Sequence, residues 1–329
     1  MSVRWGFLGA GMIAGVLASA VREAEGSSLQ AVAARELSRA ENLEPVSAYD
    51  DYAALLADDD VDAVYIALAN DAHLPWAVAA MEAGKAVLCE KPLGLTAAEV
   101  DEMAAVATRT GQLLVEASWY RWHPRVRLAQ QRLGEIGEVL HVSAGFRFDG
   151  SLQGNYRLDP ARGGGAMYDV GCYAVSACLW SMGRGAPAEV AARSTYGSTG
   201  VDLSTEAILS WDDPDADAQV RAGISGDGEG QHLVIRGSAG EIELRDAPYT
   251  SWVKDDTELW VSDGSGTERV PVPAVNAYAV MVAEVSSVLQ SGPGWVLPVG
   301  ESRDTAAVLD AARASAAADG AAVRCAPRL

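Results

Sequence analysis

Short apolar runs alternate with longer amphipathic segments between residue 3 and about residue 119. The apolar runs contain few polar positions, which is typical of strands that are buried on both faces of a parallel sheet. The predicted strands are Val3–Leu8, Leu29–Ala34, Val61–Leu68, Ala86–Cys89 and Leu113–Ala117, and the predicted helices lie at about 12–24, 36–43, 50–57, 72–83 and 96–110. This alternation predicts a doubly wound α/β domain.

The pattern changes after about residue 123. The predicted elements are a helix over Arg125–Leu133, a strand over Val139–Phe148, a helix from about Gly165 to Met182, strand-like segments between Glu189 and Val272, and alanine-rich helices near 275–290 and 301–318. Strands that follow one another without intervening helices indicate a mostly antiparallel sheet. We therefore predict a Rossmann dinucleotide-binding domain over residues 1–122 and an α+β domain with an open-faced sheet over residues 123–329.

Composition narrows the choice of partners. The 329 residues are 49% hydrophobic, and 25 Lys and Arg stand against 45 Asp and Glu, for a net charge of −20. A polyanion repels phosphate backbones and anionic lipid, so neither nucleic acid nor a membrane surface is an expected partner. The four cysteines show no C-x-x-C spacing and are too few to cross-link a chain of this length, which favours a reducing, cytoplasmic location.

The N-terminus allows two interpretations. Arg4 is followed by an uncharged run from Trp5 to Val21, which imitates a secretory signal. The glycines in this run lower its hydropathy, however, and cleavage would delete the first strand of the predicted domain. We therefore favour strand, glycine turn and helix.

A glycine-rich turn follows the first predicted strand. Gly9, Ala10, Gly11, Met12, Ile13 and Ala14 form the pattern G-x-G-x-x-A at the start of a helix. In such a loop the first glycine permits a tight turn, the second lets the backbone approach a pyrophosphate, and free N–H groups at the helix N-terminus bind the phosphates. A glycine turn without a ligand is the alternative.

The end of the second strand bears on which dinucleotide binds. NAD sites usually carry a carboxylate there to hold the ribose 2′-hydroxyl. Here Arg35 follows the strand and Arg39 lies one turn later, although Glu36 is adjacent. Guanidinium groups suit a 2′-phosphate. We predict NADP(H) in preference to NAD(H), with an exposed basic helix start as the alternative.

Two further strand ends carry candidate cofactor contacts, because the carboxyl ends of parallel strands form the ligand-binding edge of such sheets. The residues are Leu68, Asn70, His73, Glu90 and Lys91. His73 begins a helix and is equally consistent with a structural role. Pro92 biases Lys91 away from helical geometry, which favours a side chain that points into the cleft.

These segments together resemble the Gfo/Idh/MocA oxidoreductase family. The matching stretches are GAGMIA at 9–14, AVAARELSRA at 31–40, VDAVYIALANDAH at 61–73, AGKAVLCEKPLGLTAAEV at 83–100, YRWHP at 120–124 and RLDPARGGGAMYDVGCYAV at 157–175. The resemblance implies a dinucleotide-binding domain and an open-faced sheet whose flat side mediates a homodimer or homotetramer. It also implies hydride transfer to or from a sugar, cyclitol or related alcohol carbon. Lys91 would contact the substrate oxygen and the nicotinamide ribose.

Many members of that family carry Asp and His four residues apart in the second domain, where this chain has Asp169 and Tyr173. Tyrosine at this position resembles the subgroup of dimeric dihydrodiol dehydrogenases, NADP-dependent xylose dehydrogenases and sugar ketoreductases. Tyrosine has a reference pKa of about 10, so it needs a nearby cation such as Lys91 to act as a base at pH 7. We expect Tyr173 to be the acid/base, Lys91 to assist it, and Asp169 to position them. A core aromatic and a helix cap are the alternatives for Tyr173 and Asp169.

Other candidates lie near the predicted cleft. Trp119 and Arg121 would suit a polyhydroxylated substrate or the cofactor, although a buried inter-domain hinge explains the aromatic residues equally well. Arg157 is a candidate substrate ligand. No metal site is predicted. The competing functional hypothesis is a regulator that binds NADP(H) without turnover.

Overall fold

The computed structural model describes residues 2–149, 154–212, 216–225, 230–250 and 255–327. The chain forms two compact units. The first unit comprises Met1–Gly94, Ala98–Trp122 and Asn276–Val299, and the second comprises Leu95–Ala97, His123–Val275 and Gly300–Leu329. Residues 276–299, which the sequence analysis placed in the second domain, therefore belong to the first unit.

The first unit contains a six-stranded sheet in which every pair of neighbours is parallel. Its strands are β1 (Val3–Leu8), β2 (Ser27–Ala33), β3 (Ser47–Tyr49), β4 (Ala63–Ile66), β5 (Ala86–Cys89) and β6 (Leu114–Glu116), and its helices are α1 (Met12–Glu23), α2 (Leu37–Glu41), α3 (Tyr52–Leu56), α4 (His73–Glu82) and α5 (Ala97–Thr110). The spatial order β3-β2-β1-β4-β5-β6 is the Rossmann arrangement. The prediction of a doubly wound α/β domain is confirmed. Strand β3 was not predicted, because this short, half-buried edge strand has no apolar run.

The remaining elements follow in chain order. They are α6 (Pro124–Arg132), β7 (Val139–Arg147), α7 (Cys172–Met182), β8 (Glu189–Tyr196), β9 (Asp202–Ser210), β10 (Asp217–Gly223), β11 (Gly230–Gly237), β12 (Gly240–Leu244), β13 (Thr257–Asp263), β14 (Gly266–Val272), α8 (Ala277–Leu289), α9 (Val299–Ala317) and β15 (Val323–Arg324). The strands form one nine-stranded sheet in the order β14-β13-β12-β11-β7-β10-β9-β8-β15. Only β7 and β10 pair in parallel among these strands, so the sheet is mixed and mostly antiparallel, as predicted.

Helix α8 joins the first unit because its apolar residues are buried there. Trp5 in β1 is fully buried, and its indole N–H donates a hydrogen bond to Ser286 Oγ at 3.1 Å. Tyr278 stacks on Trp119 with ring centroids 4.5 Å apart. The largely apolar sequence of α8 indicates that the helix is covered, but it contains no information about which unit covers it.

The nine-stranded sheet has one covered face and one open face. Along β9, Ala207 and Leu209 are buried whereas Glu206, Ile208 and Ser210 are exposed, as strand alternation requires. Every residue of α7 is buried, and this helix packs against β7 and β10. Among the residues that the structure describes, no helix combines the length and the hydropathy that a membrane span requires.

The sequence analysis predicted a helix from about Gly165 to Met182. In the structure, the first part of this segment is not a regular α-helix. Residues Met167–Gly171 form a π-helical turn, in which Cys172 N–H donates to Met167 C=O five residues earlier. The turn carries Asp169, and α7 carries Tyr173. The wider turn changes the angular offset between Asp169 and Tyr173 from that of a regular α-helix.

A buried arginine fixes the turn that follows β12. Arg125 donates hydrogen bonds to the backbone carbonyls of Arg245, Asp246 and Ala247 at 2.7–3.3 Å. Asp246 and Ala247 have positive φ angles of 54° and 49°, a conformation that non-glycine residues rarely adopt. Burial lowers the pKa of Arg125 to about 10, while the charge of Asp246 opposes this shift.

We predict that Arg125→Met lowers the free energy of unfolding by about 3 kcal/mol, because it leaves buried carbonyls without their donors. Urea titration measures the change. Arg236→Met serves as the control, since Arg236 is exposed and pairs only with Glu241 among the contacts found for it; it should cost about 0.5 kcal/mol. Equal losses for both variants would contradict this role of Arg125.

Candidate active site

The carboxyl edge of the parallel sheet gathers most of the predicted cofactor residues. The glycine-rich turn leaves β1, Arg35 follows β2, Leu68 and Asn70 follow β4, and Glu90 and Lys91 follow β5. Strands β2, β1, β4 and β5 are neighbours in that order, so these residues form one continuous row within the first unit.

The glycine-rich turn has the geometry that a phosphate loop needs. Gly9 has a φ of +103°, and a Cβ at this position would lie 2.5 Å from the Ala67 carbonyl oxygen, so only glycine fits. A Cβ on Gly11 would meet nothing within 4 Å, which leaves open space above the turn. Helix α1 begins at Met12 with no side-chain cap and no acidic residue in its first turn. Its N–H groups thus suit a bound pyrophosphate.

Basic side chains lie beside this turn. Arg39 donates a hydrogen bond to the Ala10 carbonyl at 3.3 Å, which brings its guanidinium group to the glycine-rich turn. Arg35 is exposed, and the side chain of Met12 is 84% exposed. Arg39 therefore adds a positively charged donor beside the glycine-rich turn.

Lys91 lies in a backbone segment with buried carboxyl groups on either side. Glu90 is 8% exposed and accepts a hydrogen bond from Tyr65 Oη at 2.5 Å. Burial raises the pKa of Glu90, while the charge of Lys91 and the Tyr65 hydrogen bond act in the opposite direction. The peptide bond between Lys91 and Pro92 is cis. Glu90 thus faces the protein interior beneath Lys91.

His73 is fully buried at the start of α4. Its Nδ1 lies 2.9 Å from the Pro92 carbonyl oxygen, and its Nε2 lies 3.3 Å from the Leu68 carbonyl oxygen. Burial lowers its pKa against the effect of these two contacts, and the charge of Lys91 adds to the lowering. These contacts fit the structural alternative that the sequence analysis left open.

Tyr173 belongs to an aromatic cluster within the second unit. Its ring centroid lies 5.7 Å from that of Phe146 and 6.1 Å from that of Tyr249, while Phe146 and Tyr249 stack at 5.8 Å. Tyr249 donates from its hydroxyl to the His232 carbonyl at 3.0 Å. The ring of Tyr173 is thus held by two neighbours, one of which follows the turn that Arg125 fixes.

Asp169 pairs with Arg157, so two predicted site residues meet. Arg157 Nε donates to Asp169 Oδ2 at 2.6 Å, and the carboxylate side chain is only 8% exposed. Burial would lower the pKa of Arg157, but the charge and hydrogen bond of Asp169 raise it above its ordinary value, with a smaller contribution from Tyr173. Arg157 therefore places a positive charge near both Asp169 and Tyr173.

The start of the helical segment that carries these residues is held by Asp202 of β9. Its carboxylate accepts the Met167 N–H at 2.9 Å and the Thr205 hydroxyl at 2.8 Å. Gly165 has a φ of +123° and leaves room for this carboxylate, because a Cβ at this position would lie 2.0 Å from Asp202 Oδ1. Asp202 thereby caps a helix that is distant in sequence.

Trp119 and Arg121 are 3% and 2% exposed. Trp119 stacks on Tyr278, and the Arg121 guanidinium lies 5.5 Å from the ring centroid of Trp295. These contacts, all within the first unit, favour packing over a substrate platform. Among the described ranges, no group of three or more His, Cys, Asp or Glu side chains is arranged to hold a metal ion.

Sequence reasoning missed several residues that shape the site. Glu116 at the end of β6 accepts the Leu93 N–H at 3.3 Å, and Asp202, Phe146 and Tyr249 act in the second unit as described above. A carboxylate at the end of a buried strand was a usable signal for Glu116. The partners of Tyr173 and Met167 lie 27 to 76 residues away along the chain and left no local signal.

Comparison with known proteins identifies the family. Residues 3–118 match the model of an oxidoreductase family with an NAD-binding Rossmann fold, and residues 126–243 match the GFO/IDH/MocA C-terminal domain. The chain belongs to the Gfo/Idh/MocA oxidoreductase family. Both domains of this family are thus present in the expected order.

Several relatives have named activities. The chain is 36% identical over 219 residues to trans-1,2-dihydrobenzene-1,2-diol dehydrogenase of Mus musculus, a match that covers 64% of this chain and 66% of that protein. It is 39% identical over 229 residues to D-xylose 1-dehydrogenase (NADP(+)) 2 of Haloferax volcanii, which covers 66% and 68% respectively. These matches span about two thirds of each relative.

A solved structure matches over nearly the whole chain. The 3-ketoreductase KijD10 of Actinomadura kijaniata, crystallised with NADP and TDP-benzene, aligns with a TM-score of 0.87 and 27% identity, covering 96% of this chain and 98% of that one. The family membership and this likeness place the chain among oxidoreductases that use a nicotinamide cofactor.

Proposed function

We propose that this protein is an NADP(H)-dependent oxidoreductase that transfers hydride to or from a CH–OH carbon of a sugar-like or cyclic substrate. The observation that carries this proposal is the uncapped, glycine-bounded N-terminus of α1, which lies on the same sheet edge as Lys91. The named activities of the relatives, on a cyclic diol, on xylose and as a ketoreductase, support the substrate class.

In the proposed reaction, Tyr173 and Lys91 handle the proton and the charge on the substrate oxygen. Bound NADP(H) supplies hydride to a carbonyl carbon, or accepts it from an alcohol carbon. During reduction, Tyr173 Oη gives its proton to the oxygen as negative charge develops there, and the Lys91 ammonium stabilises that charge. During oxidation, the phenolate takes the hydroxyl proton.

Asp169 positions these groups in the proposed mechanism. Its carboxylate alone would oppose formation of a phenolate at Tyr173. Its pairing with Arg157 at 2.6 Å offsets that charge. In this mechanism Arg157 also remains available as a substrate ligand through its outer guanidinium nitrogens.

We predict that Tyr173→Phe and Lys91→Ala each lower kcat by about 100-fold or more, because each removes a group that acts in the transition state. The dissociation constant for NADPH should change less than about threefold, since neither residue binds the pyrophosphate. NADPH fluorescence measures binding, and absorbance of the reduced nicotinamide measures turnover with keto-sugars and cyclic diols.

Tyr196→Phe is the matched control for this experiment, because Tyr196 is 51% exposed and lies outside the proposed machinery. Near-normal turnover in either Tyr173→Phe or Lys91→Ala would contradict the proposed mechanism. Binding of NADPH without consumption under any tested ketone would instead favour the alternative, a non-catalytic regulator that binds NADP(H).

The preference for NADP(H) rests on Arg35 and Arg39. Arg39 is anchored at the Ala10 carbonyl, and no carboxylate occupies the position directly after β2, where Ala34 and Arg35 stand. A 2′-phosphate would gain charge-assisted hydrogen bonds from these guanidinium groups. The NADP-dependent xylose dehydrogenase supports this preference.

We predict that the double variant Arg35→Ser/Arg39→Ser lowers kcat/KM for NADPH by about 30-fold or more while that for NADH changes less than about threefold, since charged hydrogen bonds contribute roughly 1.5–3 kcal/mol each. Steady-state kinetics with both cofactors measures the ratio. Arg109→Ser in the same unit is the control, because Arg109 is exposed and pairs with Glu82. An unchanged NADPH-to-NADH ratio would refute the assignment.

We further propose a homodimer or homotetramer that forms through the open face of the nine-stranded sheet. Exposed Ile208 lies on this face together with polar pairs between strands, such as the hydrogen bond between His141 Nδ1 and Asp217 Oδ1 at 2.6 Å and the ion pair of Arg221 with Glu206 at 3.5 Å. Strands with paired charges and an apolar centre suit a second copy of the same surface.

Accordingly, Ile208→Asp should shift the protein towards monomer, because it buries an unpaired charge in the interface. Sedimentation velocity measures the mass. Val46→Asp is the control, since Val46 is 78% exposed in the first unit. If Ile208→Asp has the same mass in solution as the wild-type protein, this result would argue against the interface.

We propose a reducing, cytoplasmic location. All four cysteines are free thiols, and Cys89, Cys172 and Cys178 are buried. Burial raises the pKa of Cys89 and of Cys178, so these thiols remain protonated and act as packing groups.

A further inference from the structure

Three buried ionisable side chains surround the backbone of Lys91, Pro92 and Leu93. His73, Glu90 and Glu116 are 0%, 8% and 3% exposed, and we call them the lysine cradle. Each of them makes a hydrogen bond with the backbone of this segment. The cradle lies wholly within the first unit.

The contacts of the lysine cradle cover the segment from end to end. Glu90 Oε2 accepts the Lys91 N–H and Glu116 Oε2 accepts the Leu93 N–H, both at 3.3 Å. The Pro92 carbonyl lies 2.9 Å from His73 Nδ1. Proline has no N–H, so every backbone donor of the segment and its central carbonyl have a side-chain partner.

Each cradle residue is itself held by a second contact. Tyr65 donates to Glu90 Oε1 at 2.5 Å, and Ser118 Oγ donates to Glu116 Oε1. His73 Nε2 lies 3.3 Å from the Leu68 carbonyl oxygen. The imidazole thereby connects the loop after β4 to the loop after β5. The direction in which the Lys91 side chain leaves the backbone depends on these anchors.

Burial of three ionisable groups is costly, and an apolar core would not need them. Their hydrogen bonds to this segment are made with backbone atoms. Neutral imidazole has one N–H. We assign that proton to Nδ1, because its contact is the shorter of the two, so that it donates to the Pro92 carbonyl. His73 thus makes one strong hydrogen bond, and it makes it to the lysine segment.

We propose that His73 is a positioning residue for Lys91, which together with Glu90 and Glu116 sets the position of the Lys91 ammonium. This inference rests on the catalytic role proposed for Lys91. It replaces the expectation that His73 and Glu90 contact the cofactor. It gives the buried end of α4 a role in turnover, without direct contact with either substrate or dinucleotide.

Two substitutions distinguish the contribution of His73 Nδ1 from that of Nε2. Asparagine places its amide nitrogen close to the position of Nδ1, whereas glutamine places its amide nitrogen close to that of Nε2. His73→Gln should lower kcat by about 30-fold, because a displacement of about 1 Å in a reacting group can cost about 100-fold. His73→Asn should recover most of this loss. The NADPH dissociation constant should change less than about threefold in both variants, since the contacts to the pyrophosphate are untouched.

A double variant distinguishes this inference from the function on which it rests. His73→Gln added to Lys91→Ala should cause no further loss of kcat, because both changes act through one ammonium group. Normal turnover in Lys91→Ala would overturn the proposed function and this inference together. A full additional loss in the double variant would overturn only the positioning role.

Two other results would also overturn the inference. A weaker NADPH affinity with unchanged kcat in His73→Gln would make His73 a cofactor ligand, and failure of His73→Asn to recover turnover in a folded protein would exclude the Nδ1 contact. Thermal unfolding verifies that the variants fold. If both His73 variants unfold, Glu116→Gln and Glu116→Leu provide the same comparison at the Leu93 N–H. Glutamine keeps a hydrogen-bond acceptor and should retain turnover, whereas leucine has none and should lose it. Equal turnover in the two Glu116 variants would refute the role of the lysine cradle.

Discussion

Buried backbone polar groups must find partners where the strands end, and this requirement shapes the loops of both units. A parallel sheet satisfies its own N–H and C=O groups only as far as the last paired residue. Beyond that point the chain turns towards the ligand edge. In the first unit, His73, Glu90 and Glu116 supply the partners for the segment after β5. The backbone from which the Lys91 side chain extends is therefore held by buried hydrogen bonds.

The second unit uses the same principle with different residues. Arg125 supplies donors to three carbonyls of a turn with positive φ angles, and Asp202 supplies an acceptor to the first N–H of a helical segment. Both side chains come from elements remote in sequence. The aromatic ring and the carboxylate at Tyr173 and Asp169 are therefore placed by tertiary contacts.

The sequence was most informative where a local segment of the chain determines its own structure. Uninterrupted apolar runs identified the buried parallel strands, and the glycine spacing after β1 identified a turn in which Gly9 fits and a Cβ would not. Periodicity was uninformative where the outcome depends on a distant surface, as with α8, whose apolar face packs on the first unit. It also gave no sign that His73 and Glu90 bond to backbone, because a side chain at a strand end looks the same whether it faces a ligand or its own chain.

The π-helical turn at Met167–Gly171 constrains how this protein can change over evolutionary time. Such a turn holds one more residue than an α-helical turn, so removal of a single residue would restore regular helix and rotate all preceding side chains by about 100° relative to α7. Asp169, which pairs with Arg157 at 2.6 Å, would then be displaced relative to Tyr173 in α7. Surface loops of this fold tolerate insertions and deletions, whereas the length of these five positions sets the spacing between Asp169 and α7.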